Sequence, residues 1–170
     1  MGDTHDHDTT QRPFGEAVQD HYSEFAGHCY GCGRLNEDGL HVRSFPEGDE
    51  MVAHFRPRPY HTALPGLVYG GLIASLIDCQ STGTAAWAIY RSEGRHFDSD
   101  PPVRCVTASL HVDYVRPTPI DADLELRSTV VELKGKKVVV STSLRAHGKE
   151  CARGQVVAIR ILEESPPVAG

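Results

Sequence analysis

The sequence predicts an α+β fold, in which one long helix packs against one face of a strongly bent antiparallel sheet. Three observations support this fold class. One apolar run with helical periodicity occupies about residues 70–90, two strand-like segments precede it, and about four strand-like segments follow it. Because short turns join successive strands, the strands pair antiparallel, and the single helix must cover one face of their sheet.

The length of 170 residues suits one domain with a short extension at each end. Residues 1–27 are predicted to be an N-terminal extension that is partly disordered, because its first 13 residues are polar. Within it, 15–26 can form a short helix with one apolar side made of Ala17, Val18, Tyr22 and Phe25. The domain covers 28–163, and 164–170 form a disordered tail.

Two strands are predicted in the first part of the domain, near 40–45 and 50–56. The turn-forming residues Pro46-Glu47-Gly48-Asp49 separate them. The helix candidate then runs from about Gly70 to Tyr90. A glycine pair favours its start, and Gly94 lies where a helix of this length would end.

The rest of the chain is predicted to be β-rich. Residues 103–116 alternate between apolar and polar side chains, with one face made of Val106, Ala108, Leu110, Val112 and Tyr114. Further strands are predicted near 122–133, 137–146 and 151–163. Tight turns are expected at Gly135 and at Gly148-Lys149.

The composition excludes several classes of function. A formal net charge of −6 leaves no excess of Lys and Arg to neutralise phosphates, so a nucleic-acid surface is not expected. No apolar run approaches the roughly 18 residues that a membrane span needs, and no secretory signal is visible. Five cysteines, an odd number, fit a reducing compartment better than a disulfide framework. We therefore expect a cytoplasmic protein without membrane or nucleic-acid partners.

The start of the predicted helix carries the residues with the clearest chemistry. Gly70 and Gly71 lack Cβ atoms, so the first amide groups of the helix can contact a ligand oxygen, aided by the helix dipole. Asp78 lies inside the apolar run, where a carboxylate without a partner is costly. An amide donor and a carboxylate are the minimum needed for attack on a carbonyl group.

The sequence from Leu64 to Asp78, LPGLVYGGLIASLID, is similar to the Pro-Gly-x-x-His-Gly-Gly-x-x-Ala-x-x-x-Asp signature of PaaI-like hotdog thioesterases. These belong to the 4-hydroxybenzoyl-CoA thioesterase superfamily. The resemblance extends to residues 107–117 and to Cys29-x-x-Cys-Gly, and it covers about 28–163. It implies a hotdog fold, in which a bent antiparallel sheet wraps one long central helix, and hydrolysis of an acyl-CoA thioester. Coenzyme A then enters as part of the substrate, and no cofactor is expected.

The resemblance also implies a role for each residue at the helix start. Asp78 is the general base or nucleophile that drives water onto the thioester carbonyl, directly or through an anhydride, and a carboxylate bonded to neighbouring backbone is the structural alternative. Gly70 donates its amide to the thioester oxygen, as in an oxyanion hole, and Gly71 binds substrate beside it. Tyr69 replaces the family's usual His, and lies beside the acyl group or packs as a core aromatic residue.

Further roles follow for residues after the helix. Thr107 matches a Ser or Thr that orients water, although strict alternation places it opposite the Val106–Tyr114 face, and an ordinary strand threonine is the alternative. Tyr114 and Arg116 match positions that contact coenzyme A. The hairpin Lys134-Gly135-Lys136-Lys137 is similar to one that meets coenzyme A phosphates, and a solvated turn is the alternative.

Helix geometry adds a constraint on this site. Gly71, Ser75, Asp78 and Thr82 form one polar stripe along the helix. Gly70 and Asp78 lie about 12 Å apart along that helix, beyond the reach of an aspartate side chain. If both residues are catalytic, each active site must be shared between subunits. The sequence therefore predicts a homo-oligomer, either a dimer or a dimer of dimers.

No metal site is predicted. The spacing of Cys29 and Cys32 is typical of metal sites, but zinc needs four ligands and the sequence has no second Cys-x-x-Cys. Histidines would have to complete such a site, the candidates being His21, His28 and His41. Cys79 follows Asp78 but points about 100° around the helix from it, which favours a buried apolar role.

Two other functions remain open from the sequence. The first is a non-catalytic acyl-CoA-binding or regulatory domain, which would be in keeping with Tyr69. The second is hydration or dehydration of acyl thioesters, which uses a His and a carboxylate. The residues 14 positions beyond His54 and His61 are Val68 and Ser75, and neither is a carboxylate.

Overall fold

A computed structural model describes residues 15–162 as one long helix packed against a six-stranded sheet. The strands are β1 (Phe45–Glu47), β2 (Glu50–Phe55), β3 (Arg104–Tyr114), β4 (Leu124–Lys134), β5 (Lys137–Ala146) and β6 (Lys149–Ile161). The helix α1 (Gly70–Ser92) lies between β2 and β3 in sequence and packs against strands β2 to β6. This is the hotdog arrangement, so the predicted fold class is confirmed.

The strand order in the sheet is β1-β2-β4-β5-β6-β3, and every neighbouring pair is antiparallel. The sheet is open, with the eleven residues of β3 forming one of its edges. Gly135 and Gly148 have positive φ in the turns that join β4 to β5 and β5 to β6. Both turns were predicted, and the second lies one residue earlier than expected, at His147-Gly148.

The helix α1 matches its predicted limits within two residues and stops before Gly94, which has a φ of +63°. Every residue from Cys79 to Tyr90 is buried. The end of the helix is therefore enclosed, whereas its first nine residues alternate between buried and half-buried positions. None of the helices between residues 15 and 162 combines the length and the apolar character of a membrane span.

The first predicted strand is largely wrong. Residues 40–44 are not part of the sheet, and β1 begins at Phe45. The amides of Leu40 and Val42 donate instead to the carbonyls of Tyr30 and Gly31. This loop partner satisfies the backbone of residues 40–42 and replaces a strand partner. The predicted four-residue turn is also shorter, because it closes at Gly48, which has a φ of +63°.

The single short helix predicted over 15–26 is replaced by two 3₁₀ helices, Val18–His21 and Ala26–His28. Ala17, Val18 and Tyr22 are buried as predicted, but Phe25 is exposed. Contacts with Ser44 explain the change: its carbonyl accepts from the amide of Val18, and its amide donates to the side chain of Gln19. The predicted disorder of 1–13 and 164–170 lies outside the described residues.

Candidate active site

The first turn of α1 is open to a ligand. Tyr69 precedes the helix in an extended conformation, and its side chain makes no capping hydrogen bond. Within residues 15–162, the amides of Gly70 and Gly71 have no acceptor, as expected for a first turn. Two amide donors at the positive end of the helix dipole are thus available to an oxygen atom.

A side chain at either glycine of the first turn would meet different neighbours. A Cβ atom at Gly71 would lie 2.6 Å from the hydroxyl oxygen of Tyr69, because the tyrosine ring covers this position. A Cβ atom at Gly70 would lie 3.5 Å from the ring of Tyr114, an ordinary contact. A side chain at Gly71 would displace only the exposed end of the Tyr69 side chain, and packing gives no reason for Gly70. This favours a functional reason for Gly70, the close approach of a ligand to its amide.

Asp78 is half-buried in the middle of α1. Its carboxylate accepts a hydrogen bond from the hydroxyl of Thr107 on β3. Burial raises the pKa of Asp78 above its ordinary value, and the hydrogen bond from Thr107 acts in the opposite direction. A desolvated carboxylate with one oriented hydrogen bond is a better proton acceptor than a fully solvated one, which is what a general base requires.

A β-bulge explains how Thr107 comes to face Asp78. The register between β3 and β6 shifts between Thr107 and Ser109, which leaves Ala108 as an extra residue. Thr107 and Leu110 are therefore both paired with buried residues of β6, Ala158 and Val156. The prediction that Thr107 lies opposite the Val106–Tyr114 face therefore holds for Val106 but is wrong from Leu110 onward, since the bulge places the later residues on the side of Thr107 that faces α1.

The other end of β3 meets the start of α1. The Tyr114 hydroxyl donates to the Gly70 carbonyl over 2.7 Å. Beyond the strand, Arg116 is exposed, and its guanidinium donates to the carbonyl of Glu150. Tyr114 is therefore beside Gly70, with Arg116 two residues further along the chain, whereas Thr107 and Asp78 lie toward the opposite end of the strand. The predicted site residues form two groups within one chain.

The lysine hairpin lies on the same side as Thr107 and Asp78. Lys134, Gly135 and Lys136 are exposed, and Lys137 forms an ion pair with Glu132 over 3.2 Å. Lys137 is opposite Ile159 of β6, which in turn is opposite Val106 of β3. The hairpin thus lies two strands, or about 10 Å, from the end of β3 that carries Thr107. The structure does not bring it close to Tyr114 and Arg116 of the same chain.

A pocket of about 300 Å³ opens beside the first turn of α1. Tyr69 forms one wall and is 57% exposed, so it is not a core residue. Gly71 and Ser75 of the predicted polar stripe also line this pocket. The Ser75 hydroxyl donates to the Gly71 carbonyl over 2.9 Å, so this part of the stripe is tied to the helix backbone. Among the residues of the pocket wall there is no carboxylate.

Sequence reasoning missed the opposite wall, which two loops supply: it consists of Tyr30, Leu40, Tyr60, His61 and Thr62. Four of these residues also line a second cavity of about 320 Å³. The second cavity adds cationic groups, Arg56 and Arg58, at its far side. No local sequence signal marks these loops, because their side chains converge only in the folded chain.

His61 holds a defined position in that wall. Its Nδ1 atom accepts a hydrogen bond from the Arg58 amide over 3.1 Å, and its ring stacks on Phe55 with centroids 5.7 Å apart. Burial lowers the pKa of His61, and the nearby positive charge of Arg58 adds to the effect. The backbone carbonyl of His61 also accepts a hydrogen bond from the amide of Tyr69, which ties this wall to the start of α1.

One cluster of three cysteine thiols lies next to Asp78 in sequence, at Cys79 of α1. The thiols of Cys29, Cys32 and Cys79 all lie within 4.8 Å of one another. The sequence suggested histidines as further ligands for the Cys29 and Cys32 pair, but among the described residues the third member is Cys79 of α1. The buried position predicted for Cys79 is confirmed, yet its thiol contacts other thiols, with Cys29 Sγ at 4.0 Å.

Comparison with known proteins identifies the family. The family model described as "Thioesterase superfamily" matches residues 65–152, about half of the chain and all of the residues from Gly70 to Tyr114 discussed above. The chain belongs to the thioesterase superfamily. The family predicted from the sequence is therefore confirmed.

Several relatives within the thioesterase superfamily are similar to this chain. A thioesterase superfamily protein from Shewanella loihica is 43% identical with a TM-score of 0.64, covering 85% of this chain and 99% of that chain. Acyl-coenzyme A thioesterase THEM4 of Xenopus laevis is 33% identical over 111 residues, which are 65% of this chain and 44% of THEM4. The E. coli PaaI protein shares the fold, with 14% identity, a TM-score of 0.58, and coverage of 72% and 80%.

The chain spans about half the length of the THEM4 relatives that it matches. The segment of this chain that matches the thioesterase superfamily model contains both Gly70 and Asp78 but begins after the Cys29–Gly33 loop. The part of the chain that carries the thiol pair therefore lies outside the matched segment, and the chemistry of that loop has to be argued from its own geometry.

Proposed function

We propose that this protein is an acyl-CoA thioesterase whose active site is shared by two copies of the chain, with Asp78 from one subunit and Gly70 from the other. One observation carries the proposal. The edge strand β3 contacts both residues, through Thr107 at Asp78 and through Tyr114 at Gly70. An antiparallel pairing of this strand with β3 of a second copy, in a suitable register, would therefore bring Asp78 of one subunit toward Gly70 of the other.

The register of such a pairing follows from the contacts. If β3 pairs antiparallel with β3 of a second copy about a centre between Leu110 and His111, Thr107 lies opposite Tyr114 of the partner subunit. Because Tyr114 holds Gly70 in each subunit, Gly70 of the partner subunit approaches Asp78. The roughly 12 Å that separates the two residues within one helix is then bridged between two helices.

The exposed surface supports a partner at this edge. Within residues 15–162 the outer edge of β3 pairs with no strand, and Val106, Leu110 and Val115 are each about 40% exposed. A long edge strand with exposed apolar side chains is a site for pairing with another chain. A dimer formed there also brings the lysine hairpin of one subunit toward the Arg116 side of the other, so that both cationic groups face one coenzyme A.

The chemistry follows from this arrangement. The thioester oxygen accepts hydrogen bonds from the free amides at the start of one α1, which stabilise the negative charge that develops on it. Asp78 of the other subunit accepts a proton from water as the water oxygen bonds to the carbonyl carbon. The carbon–sulfur bond then breaks, and the coenzyme A thiolate leaves and takes up a proton. Attack by Asp78 itself through an anhydride reaches the same products.

The pocket beside Tyr69 is the proposed acyl site. Its wall combines aromatic and aliphatic side chains, from Tyr30, Leu40, Tyr60, Tyr69 and Leu72, with the polar start of α1. A volume of about 300 Å³ suits a short or aromatic acyl group better than a long chain. Since the five cysteines are free thiols in the fold, we also place the protein in the cytoplasm, as a homodimer or a pair of homodimers, with no nucleic-acid partner.

The test is a screen of acyl-CoAs for release of free thiol, with short, aromatic and long acyl groups, together with the mass in solution by light scattering. We expect hydrolysis of at least one short or aromatic acyl-CoA by a dimer or larger assembly. Binding of acyl-CoA without release of thiol across the whole panel would support the non-catalytic alternative. Formation of an enoyl or hydroxyacyl product with the thioester intact would support the hydratase alternative.

A further inference from the structure

Three thiols converge behind the active site from two distant parts of the chain. Cys29 and Cys32 belong to the loop before β1, and Cys79 follows Asp78 on α1, 50 residues after Cys29. Their sulfur atoms lie within 4.8 Å of one another, with 4.0 Å between Cys29 and Cys79. Three thiolates on one tetrahedral zinc ion, with Zn–S bonds of about 2.3 Å, have sulfur atoms about 3.8 Å apart. The trio therefore needs a movement of about 1 Å or less to hold the ion.

The backbone of the loop is shaped around these sulfurs. A side chain at Gly31 would overlap the Cys79 thiol, and one at Gly33 would overlap the backbone of Cys29. The Gly33 amide donates to the Cys29 carbonyl over 2.7 Å, which closes the loop. The two glycines therefore let the loop lie against α1 with the thiols of Cys29 and Cys32 beside that of Cys79.

One positively charged side chain, that of Arg104, lies near the three thiols. Arg104 is half-buried, stacks over the Tyr22 ring at 4.9 Å, and lies in the electrostatic neighbourhood of all three cysteines. Within residues 15–162 Arg104 forms no ion pair, and the carboxylate of Asp78 also lies in its electrostatic neighbourhood. Three thiolates and Zn²⁺ carry a net charge of −1, which Arg104 balances.

We propose that Cys29, Cys32 and Cys79 bind a zinc ion that fixes the loop of residues 29–42 to α1 directly behind Asp78. Binding releases three thiol protons to solvent as three Zn–S bonds form, and a water molecule or an added ligand completes the tetrahedron. The role is structural. The same loop supplies Tyr30 and Leu40 to the wall of the acyl pocket, so the ion orders one side of that pocket.

Metal content of the full-length protein is the direct test. Protein purified under reducing conditions without chelator should contain about one zinc per chain by elemental analysis. Titration of the metal-free protein with Co²⁺ should give the intense near-ultraviolet thiolate-to-cobalt absorption. Removal of zinc should lower the melting temperature, and re-addition should restore it. Copper in place of zinc would overturn the assignment of the ion.

Substitutions then assign the ligands. Cys29→Ser, Cys32→Ser and Cys79→Ser should each weaken zinc binding by more than about a hundredfold, since loss of an outer hydrogen-bond partner alone costs about 10–100-fold. Cys151→Ser is the matched control, because this thiol is also buried but is not part of the trio, and it should keep its zinc. Equal loss in Cys151→Ser would contradict the assignment of the ligands.

If a ligand variant does not fold, the wild-type protein still decides the question. Zinc far below one per chain, together with no cobalt absorption in metal-free protein whose thiols are shown to be reduced, would overturn the proposal. A disulfide between any two of the three cysteines in freshly purified reduced protein, detected as a loss of two hydrogens in the intact mass, would overturn it as well.

Discussion

The two halves of α1 differ in where their polar groups find partners. The half from Cys79 to Tyr90 is buried, and the polar side chains on it bond to other buried groups of the same chain. The half from Gly70 to Asp78 is partly open, with free amides at its start and a carboxylate at its end. One helix thus carries a structural half and a half whose polar groups are available to a ligand.

Two buried networks hold the structural half. Gln80 accepts from Ser44 over 2.7 Å and donates to the Met51 carbonyl over 2.9 Å, while Ser44 also accepts from Gln19. Ser81 shares a hydrogen bond with Thr142, which shares another with Ser128 of β4. Because the buried polar side chains of both networks find partners within this chain, they fix the rotation of the second half of α1 and its position against the sheet.

The open half benefits from this fixed position. Asp78 directly precedes the buried segment, so its direction toward Thr107 is set by the packing behind it. At the other end, the bond from Tyr114 to the Gly70 carbonyl fixes the first turn while leaving the amides free. Gly70 and Asp78 are thus held by the same helix and the same edge strand, yet they are too far apart to act together within one chain.

Replacement of Asp78 should have the largest effect on activity. Asp78→Asn keeps the shape and an acceptor for Thr107 but removes the base, so kcat should fall by about 10²–10⁴-fold with a smaller change in KM. Acyl-CoA kinetics and circular dichroism measure the two parts of this expectation. Asp98→Asn, in an exposed loop, is the control. Near-normal turnover of the folded Asp78→Asn protein would remove Asp78 from the mechanism.

Thr107 should come next, as a residue that positions Asp78. Thr107→Val removes the hydrogen bond to the carboxylate, which is worth about 1.5–3 kcal/mol, so kcat should fall by roughly 10–100-fold with little change in KM. Thr107→Ser keeps the hydroxyl and should recover most of the activity. If valine and serine behave alike, the hydroxyl has no role, and an ordinary strand threonine is the correct interpretation.

In the structural half, the effect should be on stability and not on catalysis. Gln80→Met has nearly the same volume but breaks the bonds to Ser44 and Met51, so the free energy of unfolding should drop by about 2 kcal/mol or more. Kinetic constants of the folded protein should change little. Urea unfolding and steady-state kinetics are compared with those of Gln155→Met, an exposed glutamine whose loss should cost less than about 0.5 kcal/mol. A loss of kcat in Gln80→Met without a loss of stability would contradict the assignment of this half of α1 to structure alone.

The smallest effect is expected at Tyr69, where the open half meets the pocket. Tyr69→Phe keeps the ring over Gly71, so kcat/KM should change by less than about tenfold, the equivalent of one neutral hydrogen bond. Tyr69→His restores the family's usual residue and should be tolerated or more active. A loss of more than tenfold in Tyr69→Phe would show that the hydroxyl acts on the substrate. An inactive Tyr69→His would show that activity depends on the phenyl ring of Tyr69 in the pocket wall.

The fold was predictable because its signals are local. The limits of α1 follow from the length of its apolar run, from the glycine pair at its start and from Gly94, and the turns of β4–β5 and β5–β6 follow from Gly135 and Gly148. The 3₁₀ helices at the start were missed, since the contacts of Gln19 with Ser44 outweigh helical periodicity.

The site was predictable only in part, and for a physical reason. Asp78 and the glycine pair are contiguous in a motif, and helix geometry alone showed that they are too far apart to act together. The bulge at Ala108 depends on how β3 pairs with β6, so alternation in the sequence failed to show that Thr107 and Leu110 share a side. The pocket wall and the position of Cys79 beside Cys29 arise from long-range packing, which no spacing along the chain reveals.

Subunit mixing tests the shared site most directly. Asp78→Asn lacks the base, and Gly70→Val blocks approach to the amide, so each protein alone should be inactive. After exchange, about half of the dimers are mixed, and each mixed dimer has one site with both residues intact, so activity should return to roughly a quarter of wild type. Distinct affinity tags on the two variants confirm that exchange has occurred. Mixed dimers that are isolated by both tags and remain inactive would contradict a site built from two subunits.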